Sequence, residues 1–313
     1  MIFCRQRKAF TFIIFSFILF VLLPQFSFAK LFELSVAGGI RSGEVQEFVY
    51  KADGSTYSRL DWKTPLVPVL NISGRLDIFH AILDLSVNSA IPVKLGSMQD
   101  YDWLGTDTSK YTNFSDHNLI INKLYDLEAK LGYDFNLLNF NTPVDLSIIP
   151  QIGFLYRNQK FEACDGYYQY ASSTSGEYWS SSIEKKYLSG TIITYETASY
   201  MPFVSIEAEY DFSSSWRVKQ FGRFFPYVYA TAIDNHNLRQ TEFDDFMKNG
   251  LGFSIGAEAS WKKFSLSVCY EWFRCKEGST YQLAIGTNSS YYKESSTPGI
   301  KSSVLSVMFS YRI

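Results

Sequence analysis

The alternation of apolar and polar side chains restricts the fold of this chain more than any other feature. Residues 303–313 put Leu305, Val307, Phe309, Tyr311 and Ile313 on one face, with Ser306, Ser310 and Arg312 on the other. A period of two is the period of an extended strand. In 251–261, Leu251, Phe253, Ile255, Ala257, Ala259 and Trp261 alternate with Gly, Ser and Glu. In 264–272, Phe264, Leu266, Val268, Tyr270 and Trp272 do the same, and in 202–212 Val204, Ile206, Ala208, Tyr210 and Phe212 oppose Glu207, Glu209 and Asp211. Segments 119–135 and 144–156 repeat the pattern. A soluble sandwich alternates too, but rarely sets several carboxylates per strand opposite its apolar face. Apolar faces turned to lipid and polar faces turned to a lumen fit better. Backbone groups in lipid must pair among themselves, so such strands must close. The expected fold is all-β: a ten-stranded antiparallel transmembrane β-barrel.

The expected strands are 31–50, 58–76, 80–93, 117–136, 143–163, 199–212, 215–234, 248–261, 263–275 and 300–313. Short turns are expected near 77–80, 136–142, 212–215 and 261–263. Long polar stretches near 51–57, 94–116, 164–198, 235–247 and 274–299 read as outer loops, the asymmetry of an outer-membrane barrel. The last strand, with Tyr311 and Ile313 on its apolar side, resembles the assembly signal of such barrels. The N-terminus supplies a leader: Arg5, Arg7 and Lys8, an apolar run from Phe10 to Leu23, then Ser27-Phe28-Ala29. Residues 1–29 read as a secretory signal peptide and 30–313 as one barrel domain.

The whole chain carries 29 basic and 31 acidic residues. Without Arg5, Arg7 and Lys8 it is more acidic still, which argues against a nucleic-acid partner. A cationic peptide partner remains compatible. Beyond the leader stand Cys164, Cys269 and Cys275, an odd number without zinc-ligand spacing. No Gly-rich phosphate loop, nucleophile elbow or zinc motif is present. Of the histidines, His80 falls in a short turn and is expected to be structural.

Two clusters could carry chemistry: Asp100-Tyr101-Asp102-Trp103 and Asp234-Asn235-His236. In extended backbone, residues i and i+2 point to one side. Asp100 and Asp102 fall in the expected 94–116 loop, and Asp234 and His236 where a strand enters its outer loop. Crowded carboxyls raise one another's pKa. An Asp beside a His orients the imidazole and stabilises its charged form. Such groups could hold and deprotonate a water and polarise a carbonyl. Each cluster alone is more often solvated surface or a weak cation site.

Together with Gly43-Glu44-Val45-Gln46-Glu47-Phe48-Val49-Tyr50, Leu60-Asp61-Trp62-Lys63, Ser115-Asp116-His117 and Met201-Pro202-Phe203, these clusters stand in an order that resembles the omptins. Omptins are outer-membrane endoproteases built on a ten-stranded barrel. The resemblance runs over most of 30–313. It implies an aspartic-type endopeptidase of the outer membrane, a monomer, with its site facing outward and peptides or proteins as substrates. It makes His236 the general base, oriented by Asp234, and sets Asp100 and Asp102 opposite, with no acyl-enzyme. Ser115 and His117 would lend support, and no cofactor is implied. Glu47 matches one of two acids that line the family's pocket for basic residues. The other aligns with Ala232, so the expected preference for Arg or Lys is weakened or altered. Tyr111, Asn113 and Asn118 stand where the family usually has Trp, Asp and Pro. Positions that hold lipopolysaccharide phosphates align near Asn158 and Ala198, so dependence on that lipid is not expected. Two readings compete with the peptidase. One is an idle barrel acting as adhesin or receptor. The other is a porin, disfavoured because Glu128, Glu207, Glu209, Glu258, Lys130 and Arg157 should fill a narrow lumen with ion pairs.

Overall fold

A computed structural model describes residues 32–137, 145–171, 177–284 and 291–313. The expected leader, 1–29, lies outside them, as does most of the turn expected at 136–142. Ten long strands run antiparallel: β1 (Phe32–Tyr50), β2 (Thr56–Ile78), β3 in two pieces (Ala81–Ala90 and Val93–Asp102), β4 (Asn113–Tyr133) and β5 (Asp145–Tyr170), followed by β6 (Thr191–Asp211), β7 (Trp216–His236), β8 (Thr241–Trp261), β9 in two pieces (Phe264–Cys275 and Glu277–Ala284) and β10 (Thr297–Arg312). Each pairs with the next, and β10 returns to β1 from Ser35↔Arg312 to Tyr50↔Thr297. The ring is closed, so no edge is left in lipid.

β1 shows why the pattern demands this. Its even residues Phe32, Val36 and Ile40 are exposed, as are Leu127 and Leu131 of β4, Ile152 of β5, Val204 and Ile206 of β6, Ile255 of β8 and Leu266 of β9. Together they form a lipid-facing belt. Aromatic side chains bound it above, where the Tyr125, Tyr156, Tyr200 and Tyr229 rings meet in series, tilted against one another, across four strands at 5.9, 5.2 and 5.8 Å. Below stand Trp216 with Trp261, Phe264 with Tyr311, and Tyr133 with Phe135. Such girdles mark the two interfaces of an outer-membrane barrel. The tight turn Phe79–His80 lies at the lower end with φ of 51° and 70°, the left-handed pair a two-residue hairpin needs; His80 is a turn residue, as expected.

The odd residues of β1 read the lumen from bottom to top: Arg41 in an ion-pair layer, Val45 in an apolar layer, Glu47 in a cleft. The lower lumen carries the expected ion pairs, around a cavity of about 270 Å3. Arg75 meets Glu207 and Glu209, Lys130 meets Asp84, Arg223 meets Glu128 and Lys219 meets Glu258. Higher up, Arg157 joins Asp126 and Glu271, and Arg41 also holds Asp126. These pairs cross the lumen from wall to wall, as between Arg75 of β2 and Glu209 of β6.

Two expectations require correction. The strands extend far above the belt: Val93–Asp102, the top of β5, the start of β6, Thr241 onward in β8 and Glu277–Ala284 all fall in stretches read as loops. Asp100 and Asp102 therefore sit on a strand. Above the membrane no face needs to be apolar toward lipid, so the alternation that signals a strand fades while the ladder continues. Second, Leu119 and Ile121 do not face lipid. Both are fully buried in an apolar layer with Val45, Leu60, Trp62, Met98, Phe161 and Met201. A register shift between Ile121 and Lys123 reverses the faces of β4 there, so odd residues point inward above it and outward below.

Candidate active site

The upper ends of β1, β2, β3, β7, β8 and β9 enclose a cleft of about 550 Å3 above the upper aromatic girdle, outside the membrane-spanning belt. Asp100, Asp102, Asp234, His236 and Glu47 all line it. The ring places β3 and β7 four strands apart, so the two clusters approach from different walls.

On β7, Asp234 and His236 share a face because they are two residues apart. Their neighbours fix them from both sides: Asp234 lies between Tyr195 and Phe243, and His236 between Ile193 and Thr241. His236 Nε2 lies 2.7 Å from Asp234 Oδ2. A carboxylate oxygen only accepts, so Nε2–H donates and Nδ1 carries the lone pair. The Phe243 ring packs edge-on at 5.3 Å and limits rotation of the imidazole. Burial alone would lower the pKa of His236; the charge and hydrogen bond of Asp234, with Asp100 beyond, outweigh it and hold it above its usual value.

On the other wall, β3 breaks at a bulge between Lys94 and Ser97. Gly96 sits there at φ +107°, and a Cβ would run into the Lys63 carbonyl. Only glycine fits this left-handed, crowded position. Beyond it, Asp100 pairs with Leu60 and Ser115, and Asp102 with Ser58 and Asn113. The Ser58 hydroxyl donates to Asp100 Oδ1 at 3.3 Å, and Asn113 Nδ2 donates to Asp102 Oδ2 at 3.3 Å. Burial, then the neighbouring Asp102 charge, pushes Asp100 well above the usual carboxylate range; burial raises Asp102 as well. Asp100 and His236 are close enough for each charge to shift the other. The cleft thus sets a carboxyl whose pKa is raised by burial against an imidazole whose pKa is raised by Asp234.

Glu47 lies deeper, 2% exposed, with Trp62 Nε1–H donating at 3.4 Å. Burial, then the charges of Asp234 and Asp245, lifts its carboxyl well above normal. Ala232, read as the lost second acid, has Asp245 of β8 as its cross-strand partner. Asp245 was missed by sequence reading because it fell in the expected loop 235–247. The acidic doublet Asp244-Asp245 was the available signal, since on a strand only one of the two faces inward. Ser58 and Arg239 also line the cleft and were not singled out. Ser115 and His117 do not line it. His117 Nε2 meets Ser115 Oγ at 2.9 Å and Nδ1 meets the Asp165 carbonyl at 2.5 Å, which ties β4 to the bend in β5 behind Asp100. Among the described residues no group of His, Cys, Asp and Glu has the arrangement of a metal site.

Comparison with known proteins matches the chain to one family. The plasminogen activator of Yersinia pestis is 24% identical over 218 residues, which are 68% of this chain and 65% of the activator. The crystal structure of the outer membrane protease OmpT from Escherichia coli superposes with a TM-score of 0.75 at 19% identity, covering 93% of this chain and 99% of OmpT, a likeness of fold. The model of the omptin family matches residues 28–313. The chain belongs to the omptin family, and is an outer-membrane barrel whose cleft faces outward.

Proposed function

We propose that the chain is an endopeptidase that hydrolyses extracellular peptides or proteins with a water activated by His236. The observation that carries this reading is the 2.7 Å pair of Asp234 and His236 lining the same outward cleft as Asp100 and Asp102. His236 Nδ1 takes a proton from the water as its oxygen attacks the scissile carbonyl carbon. Asp234 keeps Nε2 protonated and stabilises the imidazolium that forms. Asp100, holding its proton, donates to the carbonyl oxygen and follows it as it becomes an oxyanion. Asp102 and the Ser58 hydroxyl position Asp100. The His236 imidazolium then protonates the leaving amine. No side chain forms a bond to the acyl carbon, so the reaction is aspartic-type rather than nucleophilic.

The relatives' printed names, a plasminogen activator and an outer membrane protease, agree with proteolysis. The reading needs no lipopolysaccharide, because Asn158 and Ala198, which are cross-strand partners, are uncharged. It is tested by assaying refolded barrel against a quenched-fluorescence peptide library. Cleavage by wild type and loss of about 10³-fold in His236→Ala is expected, the scale of removing a general base. Equal turnover by both barrels, or none by wild type on any peptide, rejects it.

A further inference from the structure

The rim of the cleft beyond His236 carries groups that water activation does not use. The chain leaves β7 in a single helical turn, Asn237–Arg239, packed against β6. The turn is fixed by its own hydrogen bonds. The Gln240 backbone N–H and its side-chain Nε2 both donate to the Asn237 carbonyl, at 3.3 and 2.6 Å, and the Thr241 hydroxyl donates to the Arg239 carbonyl at 3.1 Å. Gln240, at φ 52°, then turns the chain back into β8. Arg239 lines the cleft from this turn. Its charge acts on Asp100, Asp102, His236 and the Tyr170 phenol. Among the described residues its guanidinium makes no ion pair or hydrogen bond.

The carboxyls nearby leave it unpaired for a reason. Burial raises Asp100 and Asp102 toward their neutral forms, and they are bonded to Ser58 and Asn113 instead. Two further donors stand beside it. Asp102 pairs with Asn113, and Asn113 with Tyr170; residues directly opposite in an antiparallel pair share a face. Asn113 Nδ2 gives one proton to Asp102 and keeps a second. The Tyr170 hydroxyl has no hydrogen-bond partner among the described residues. A guanidinium cannot shed its charge, and its planar fork fits a carboxylate through two parallel hydrogen bonds.

We propose that Arg239, with Tyr170 and Asn113, forms a subsite for a carboxylate of the substrate, one or two residues beyond the scissile bond on the leaving-amine side. The inference rests on the peptidase reading of the same cleft and names its substrate class: peptides with an acidic side chain, or a free C-terminus, at that place. His236 gives its proton to the leaving amine, so that part of the peptide runs past His236 toward the turn that follows it. An extended residue spans about 3.3 Å, which brings the first or second residue of the leaving segment within reach of the long Arg239 side chain.

The test uses matched quenched-fluorescence peptides with Glu, Gln or Lys at each of the first two residues after the scissile bond, and a shorter pair ending there as free acid or amide. kcat/KM is measured on wild-type barrel, and equilibrium binding on His236→Ala by fluorescence anisotropy. Glu over Gln, or free acid over amide, is expected by about tenfold, the scale of one charge-assisted pair. Preference for internal Glu assigns the subsite to a side chain, and preference for the free acid assigns it to a chain end. Arg239→Gln should abolish the ratio, Arg239→Glu should turn it toward Lys, and Arg239→Lys should keep part of it. Heat-modifiable gel mobility confirms that each variant is folded. Acid and amide forms equal within about threefold in every pair overturn the subsite, as does a ratio unmoved by Arg239→Gln. If no peptide is cut but acid-selective binding to His236→Ala persists and is lost on adding Arg239→Gln, the peptidase reading fails and the subsite stands. Cleavage indifferent to the acid fails the subsite alone.

Discussion

Asp234→Asn keeps the shape of the cleft and removes one charge, which makes it a demanding test of the base. The wild-type contact is a hydrogen bond of 2.7 Å from the imidazole to a carboxylate oxygen. Hydrogen bonds to charged groups are worth about 1.5–3 kcal/mol. At 1.36 kcal/mol per decade, that alone slows the reaction by roughly 10–150-fold. The amide can also turn its NH₂ toward Nε2. The ring proton then moves to Nδ1, the nitrogen that must accept from water, and in Ser-His-Asp sites the same exchange costs about 10⁴ in kcat. The expected loss is therefore about 10²–10⁴-fold. The pH profile adds a signature. His236 works as a base only when neutral, so kcat/KM climbs as pH rises through its pKa. The Asp234 charge holds that pKa above normal, so the climb should move to lower pH in Asp234→Asn. The same charge raises Glu47 and Asp245, which should both ionise more readily in the variant. Cleavage of an Arg peptide by wild type and variant from about pH 5 to 9 reads all of this. A rate change under about threefold with an unmoved limb refutes the role given to Asp234.

Other parts of the account can be checked in the same preparation. Arg157→Met leaves Asp126 with Arg41 and leaves Glu271 without an ion pair among the described residues, and should lower unfolding stability by about 3–5 kcal/mol, read from urea titration in detergent. Gly96→Val forces a side chain into the left-handed bulge against the Lys63 carbonyl; strain of about 1–3 kcal/mol should be relieved by moving Asp100 and Asp102, so kcat falls in barrel that still shows folded gel mobility. Asp245 is raised from 3.8 to about 7, so the folded state binds the extra proton, and stability is lost as pH rises through that window. The change is at most about 4 kcal/mol, and Asp245→Asn should gain stability over wild type at pH 8 more than at pH 5, measured by denaturation midpoints. Purified barrel freed of lipopolysaccharide should keep its activity, unlike an enzyme that depends on that lipid.

The sequence made the lipid-facing half of the barrel legible because lipid imposes a strict rule. Val204, Ile206, Ile255 and Leu266 had to alternate with polar residues, and they did. Above the girdle the constraint is absent, so Val93–Asp102 and Glu277–Ala284 carried no period-two signature although their ladders are continuous. The register shift after Ile121 was equally silent, since a bulge changes which face a residue takes without changing its chemistry. Asp100, Asp102, Asp234 and His236, which line one cleft, stood out in the sequence because each pair is local, two residues apart on one strand. Asp245 was not, because its place opposite Ala232 depends on the pairing of β7 with β8, which no local pattern encodes. Cys164, Cys269 and Cys275 are unpaired in the structure.

The central claim is geometric: one solvent-derived oxygen must be shared between His236 and Asp100. A crystal structure of the barrel with a peptide phosphinate, whose two oxygens mimic the tetrahedral intermediate, tests it directly. One oxygen should lie about 2.7–3.1 Å from His236 Nδ1 and the other within the same reach of Asp100. A phosphinate seated in the cleft with both oxygens turned away from His236, or bound instead beside Ser115 and His117, contradicts it.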